Sequence, residues 1–154
     1  MSTPLDIDTL LSEVISRAET LGVFSEINGH EPKSAPGQGV TAAVWAQEID
    51  PVPGVSGLGS TSVRVGLMWR LYTPMLSLAP DSIDPAMLKA LDALCGSYSA
   101  GFTLDGAVME VDLLGSYGDP MRARAGYLNQ DGTMFRVLDL TVPLIVPDLW
   151  TQEA

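Results

Sequence analysis

Apolar and polar residues alternate most regularly between Met121 and Val146, MRARAGYLNQDGTMFRVLDLTVPLIV. In the second half Met134, Leu138, Leu140, Val142 and Leu144 share one parity. Thr133, Asp139 and Thr141 hold the other, together with Phe135 and Val137. Period two is the mark of a half-buried strand. The two runs flank Asn129-Gln130-Asp131-Gly132, and Asp-Gly between alternating runs signals a tight hairpin, because glycine tolerates the positive φ of the reversal. A lone hairpin is marginal in water, so this one must pack on the rest of the chain.

Elsewhere the period changes. Ile7, Leu10, Leu11, Val14, Ile15, Ala18 and Leu21 form one helical stripe, ended by Gly22. Thr3 and Pro4 suit its cap and first position, with Asp6 completing a capping box. Val23–Asn28 reads as a short strand, and Gly29–Gly39 as a long Pro/Gly loop. Val40–Ile49 reads as a strand with Val40, Ala42, Val44 and Ala46 on one face and Trp45 on the other. Asp50–Ser60 is Pro/Gly-rich and irregular. Thr61–Met75 is the clearest strand, with Val63, Val65, Leu67, Trp69 and Leu71 opposed to Arg64, Met68, Arg70 and Tyr72. After a linker over Ser77–Ile83, Asp84-Pro85 starts a second helix, whose stripe is Met87, Leu88, Leu91, Leu94, Cys95 and Tyr98. Phe102–Leu113 reads as a strand bent at Gly106, followed by a loop over Gly115–Asp119. Pro143 marks an edge or the limit of ladder pairing, and Pro147–Trp150 is a tail. Helix, strands, helix, strands with hairpin-type links predicts an α+β fold. The expectation is one domain over residues 1–154, with an antiparallel or mixed sheet of about four to six strands and two main helices on one face.

Composition narrows the chemistry. A chain of 154 residues with 46% hydrophobic and 18% charged residues builds a core. Its net charge of −11 argues against holding DNA or an anionic membrane by bulk electrostatics. The same charge suits the wall of a DNA conduit, where repulsion keeps the polymer sliding. One cysteine, Cys95, allows no internal disulfide. The N-terminal stretch MSTPLDIDTL has neither the basic region nor the apolar core of a signal peptide, and no apolar run reaches the ~20 residues of a membrane helix.

No motif supplies a reaction. Gly37-Gln38-Gly39-Val40-Thr41-Ala42 has dinucleotide-site spacing but leads into a strand, whereas phosphate binding needs it to open a helix. His30 and Cys95 are the only residues of their kinds and cannot supply the roughly four ligands of structural zinc. Glu110 and Asp112 alternate on one strand; a solvated strand face explains them more simply than acid–base work or a hard cation. The expectation is therefore no catalytic residue, no metal and no cofactor. Arg64, Arg70, Arg122, Arg124 and Arg136 stand out, because five of eight basic residues fall on strands of an acidic chain. They read either as surface ion pairs of small value or as an inter-subunit seam.

LGVFSEINGHEPKSAPG, GLGSTSVRVGLMWRLY and VDLLGSYGDPMRARAGYLNQDGTMFRVLDLTVPLIV, with the aromatic tail at Trp150, resemble the tail terminator proteins of long-tailed phages that infect actinobacteria. The resemblance runs from Gly22 to Trp150, and Asn28–Pro36 and Gly126–Gly132 are its most specific pieces. It implies a non-enzymatic virion protein of the tail or neck, assembled in the host cytoplasm. Such a protein forms a homo-oligomeric ring, usually a hexamer, that caps the tail tube and joins it to head-side connector proteins. DNA passes through the lumen without specific binding, and no membrane is involved. The candidate interface comprises Asn28, His30, Glu31, Lys33, Asn129, Asp131 and Trp150, with Arg64, Arg70, Arg122, Arg124 and Arg136 as the seam. Gly29–Gly39 and Asp50–Ser60 are the expected ring-to-ring loops. Another neck component, a tail tube protein, or a small acidic enzyme or ligand-binding protein are the competing readings.

Overall fold

A computed structural model describes residues 5–30, 39–76, 80–104, 106 and 108–151. The first helix, α1, spans Ile7–Glu19. Its cap is Asp6, whose carboxylate accepts from the Thr9 backbone N–H at 3.0 Å and from the Thr9 hydroxyl at 2.7 Å. This satisfies a donor that the first helical turn leaves unpaired. The Thr3-Pro4 start lies outside the described residues. Leu10, Val14 and Ala18 are the buried stripe, and Gly22 turns the chain away at φ +68°.

Six strands follow in one mixed sheet. They are β1 (Glu26–Asn28), β2 (Thr41–Pro51), β3 (Ser60–Pro74), β4 (Glu110–Val111), β5 (Arg122–Gln130) and β6 (Thr133–Thr151). The second helix, α2, spans Pro80–Ala100 between β3 and β4. The sheet order is β1-β2-β3-β6, with β6 carrying both β4 and β5 on its far side. Only β1 and β2 pair in parallel. The α+β expectation thus holds, at the upper end of the strand count.

The core lies between the helices and one sheet face. Val63, Val65, Leu67, Trp69 and Leu71 of β3 are buried there with Leu138, Leu140, Val142 and Leu144 of β6, against Leu10, Val14, Met87, Leu94 and Tyr98. At ~25 cal/mol per Å² of apolar surface, this layer supplies the main driving force. Trp69 anchors it, donating its indole N–H to the Tyr98 hydroxyl at 2.8 Å. The other sheet face carries a second, small cluster of Ala43, Tyr72, Phe135 and Val137, flanked by Trp45 and Leu128. Hence Phe135 is buried while Met134 is 45% exposed, opposite to a simple extension of the parity of Leu138–Leu144.

Several boundaries differ from the sequence reading. The helix α2 begins at Pro80, with Ile83 buried, so residues 80–83 are helix and Asp84 is not its cap. Its buried stripe is Ile83, Met87, Ala90, Leu94 and Tyr98, and Leu88 is exposed. Phe102–Leu113 is mostly turns: Leu104 and Gly106 take φ of +51° and +88°, and the N–H groups of Leu104, Gly106 and Val108 bond back to Gly101 and Thr103, so β4 is only Glu110 and Val111, opposite Ile145 and Leu144. Pro143 lies within β6 opposite Gly66 of β3, and its carbonyl accepts from the Asp112 N–H at 2.9 Å where the β4 ladder ends, so it marks a limit of pairing rather than an edge. Pro147–Trp150 is no tail: it extends β6, with Thr61 opposite Trp150. Ala46 is exposed because β2 runs past the core, through a bulge at Ala46/Glu48, to Pro51.

Candidate subunit interface

The chain's six arginines divide into two groups. Four are held internally. Arg17 pairs with Glu13 one turn away at 3.9 Å. Arg64 is buried against Asp112, with Nε 3.5 Å from Oδ2, and donates from Nη2 to the Asp119 carbonyl. Arg70 lies on the helix-free face in a two-pronged pair with Asp139, at 2.8 and 3.2 Å, with its guanidinium 5.6 Å from the Trp45 ring. Arg136 reaches Asp84 of α2 at 3.0 Å and the Gly126 carbonyl at 3.2 Å, and stacks 4.6 Å from the Tyr127 ring. Arg122 and Arg124 are different: both are exposed, and among the described residues neither has an ion pair.

This corrects two expectations. Arg64 cannot belong to a surface seam, since it is 6% exposed and pins the 112–119 loop over the sheet. Gly118 is there to admit it: a Cβ at Gly118 would meet the guanidinium carbon at 3.0 Å. Nor is Asp112 on a solvated strand face. It is buried and accepts from the Ser116 and Tyr117 N–H groups at 2.7 and 2.9 Å, a carboxylate that shapes a turn.

Those of the remaining candidates that are among the described residues do not form one patch. Asn28 ends β1 near Tyr72, whose phenol burial pushes above its ordinary value despite the opposing influence of the Asn28 side chain. His30 follows on the surface, and Glu31 and Lys33 lie outside the described residues. Asn129 and Asp131 sit at the hairpin tip, where Asp131 and Gly132 take φ of +54° and +78° in a two-residue turn. Trp150 lies at the opposite end of the sheet, opposite Thr61.

What the geometry does present is two open sheet edges. β1 covers β2 only at Thr41–Ala43, so among the described residues no strand neighbours the outer side of β2 from Val44 to Pro51. Among the described residues β5 pairs with β6 alone, which leaves its outer side open too. Open edges carry unpaired N–H and C=O groups and seek partners. Each bears charge: Glu48 and Asp50 on β2, Arg122 and Arg124 on β5. The β2 pair went unrecognised in the sequence; its only signal was a Glu-x-Asp spacing equal to that of Arg-x-Arg.

Among the described residues no group of three or more His, Cys, Asp or Glu side chains is placed to hold a metal ion. None of the described helices is long and apolar enough to cross a membrane. Cys95 is half-buried, and burial pushes its thiol above the ordinary range.

No family model matches the chain, and no curated protein matches it in sequence. Among solved structures it is similar to a chain in the virion of a native gene transfer agent particle. That likeness has a TM-score of 0.45 at 12% identity over 89% of this chain and 93% of the other. It is one of overall shape and decides nothing about function.

Proposed function

We propose that this chain is a structural virion protein that closes into a ring at the end of a phage tail tube, stopping tube growth and joining the tail to the head-side connector. The sequence resemblance over Gly22–Trp150 motivates the reading. The observation that carries it is the pair of unlike sheet edges, on β2 past Ala43 and on β5, that no strand among the described residues covers. Two different surfaces on one subunit make head-to-tail contacts, and these give either a closed ring or an open filament according to the rotation between copies.

A terminator must match the last tube ring on one side and present something else on the other. Many weak contacts repeated around a ring give that match avidity. The Asp50–Ser60 segment, which contains the Pro53–Val55 helical turn and the fully exposed Leu58, lies at one end of the sheet. The Asp131-Gly132 tip lies at the other. In this reading they contact the two neighbours along the tail axis.

Native mass spectrometry of the full chain, alone and with tube protein, tests the proposal. The expected result is a single closed ring that stops tube elongation. Open filaments of the chain alone would point instead to a tube protein, and a persistent monomer that leaves tube length unchanged would refute the ring.

A further inference from the structure

The two open edges are complementary to each other in charge, spacing, face and strand sense. On β2, Glu48 lies opposite Gly66 and Asp50 opposite Arg64. On β5, Arg122 lies opposite Thr141 and Arg124 opposite Asp139. Through β3 and β6 these positions share one parity, so all four side chains stand on the sheet face away from the helices. Both pairs have i, i+2 spacing, all four residues are exposed, and none has an ion pair among the described residues.

We infer that β5 of one subunit docks antiparallel on β2 of the next copy of this chain, with Arg122 facing Asp50 and Arg124 facing Glu48. The occupant of each edge is thus the opposite edge of a second copy. The inference rests on the ring reading and specifies its subunit contact.

Strand sense supports it. β2 and β6 run one way and β3 and β5 the other, because each neighbouring pair is antiparallel. Rotation about a ring axis keeps that sense, so β5 meets the neighbouring β2 antiparallel, the pairing with the stronger ladder. The register also closes. Arg122 is level with Met68 of β3, whereas Asp50 is level with Arg64, an offset of four residues along β3. From β2 through β3 and β6 to β5 and onto the next β2 there are four strand steps. An offset of about 13 Å over a width of about 19 Å inclines the strands by about 35°, within the tilt that closed sheets adopt. β1 does not obstruct the four facing charges, since its cover of β2 ends at Ala43. A slip of two residues keeps only one of the two facing pairs, and a slip of one puts the charges on opposite faces, so the same residues favour this register.

Charge reversal tests this on the full chain. R122E/R124E and E48R/D50R are each expected to fold, judged by unchanged circular dichroism, and to lose the ring, with association weakened by about 100-fold or more. Mixed in equal amounts, they are expected to regain it as rings with an even number of subunits in 1:1 alternation, seen directly in native mass. The four-fold reversal in one chain is expected to restore rings alone. Reversal variants that still form rings while the wild type does so overturn the edge pairing and leave the ring reading standing. A wild-type chain that remains monomeric with and without tube protein overturns both. Variants that fail alone and fail when mixed also overturn the pairing.

Discussion

At the scale of single residues the arginines show what alternation can and cannot say. Parity put Arg64 and Arg70 on the polar side of β3, and it is right about direction: both point away from the helices. It says nothing about cover, and the 112–119 loop folds back over Arg64 but not over Arg70. That return depends on contacts between positions 55 residues apart, beyond the reach of any local pattern. Breaking a buried pair leaves an uncompensated charge, so Arg64→Ala is expected to destabilise the chain by roughly 3–5 kcal/mol, read from the urea midpoint. Arg124→Ala, at a residue with no ion-pair partner among the described residues, is expected to stay within about 0.5 kcal/mol. Tyr98 gives a second measurable effect. Burial, only partly offset by the hydrogen bond from Trp69, raises its phenol well above the ordinary value. The unfolded chain therefore releases this proton at a pH where the folded chain still holds it, and stability falls as pH rises above ~10. Cys95, raised for the same first reason, adds to the fall from slightly lower pH. Tyr98→Phe removes the tyrosine part of that slope in denaturation series from pH 8 to 11. It also costs about 1–3 kcal/mol at neutral pH by leaving the Trp69 N–H unpaired.

Among the elements, the hairpin was the most readable part of the sequence. Its turn needs two successive positive φ values, which Asp131 and Gly132 supply, and its register follows from that turn. Gly132→Val is expected to cost about 1–2 kcal/mol, with the loss read in the thermal midpoint, because a branched residue strains at φ +78°. The first helix's stripe was readable as well, and in the second Met87, Leu94 and Tyr98 were, while Leu88 is exposed and Ile83 and Ala90 are buried. The stretch from Phe102 to Leu113 was not readable. Its alternation is genuine, but Leu104 and Gly106 take positive φ and the N–H groups of Leu104, Gly106 and Val108 bond back to Gly101 and Thr103 in turns, a departure from the ladder that alternation does not register. The same blindness made a tail of Pro147–Trp150, since two turn-forming residues, Pro147 and Asp148, begin a stretch that pairs with β3. Leu149, 6% exposed in the core, distinguishes the two descriptions. Leu149→Ala is expected to lower stability by about 2–3 kcal/mol in chemical denaturation, whereas a residue in a solvated tail would change nothing.

For the whole molecule, fold class and the face that the helices cover were readable from patterning, because each is a sum over many residues. The interface was not, because an open edge is defined by what fails to reach it. β1 stopping at Asn28 is a property of β1, yet it is β2 that is left open. The charge of −11 is likewise uneven in its effect: it repels copies in general, while Arg122 and Arg124 supply one place where approach is favoured. Ring assembly is accordingly expected to show a salt optimum in sizing experiments. Moderate salt relieves the general repulsion, and high salt weakens the four facing charges. Finally, β6 is nineteen residues long and bonded to β3 from Thr151 opposite Ser60 to Phe135 opposite Pro74. Tension along that axis must slide the two strands past one another, loading many backbone hydrogen bonds together, whereas a sideways pull on β5 opens its ladder one rung at a time. The molecule is therefore mechanically anisotropic. It is stiff along its strands and easily peeled across them, which favours a working load parallel to β6.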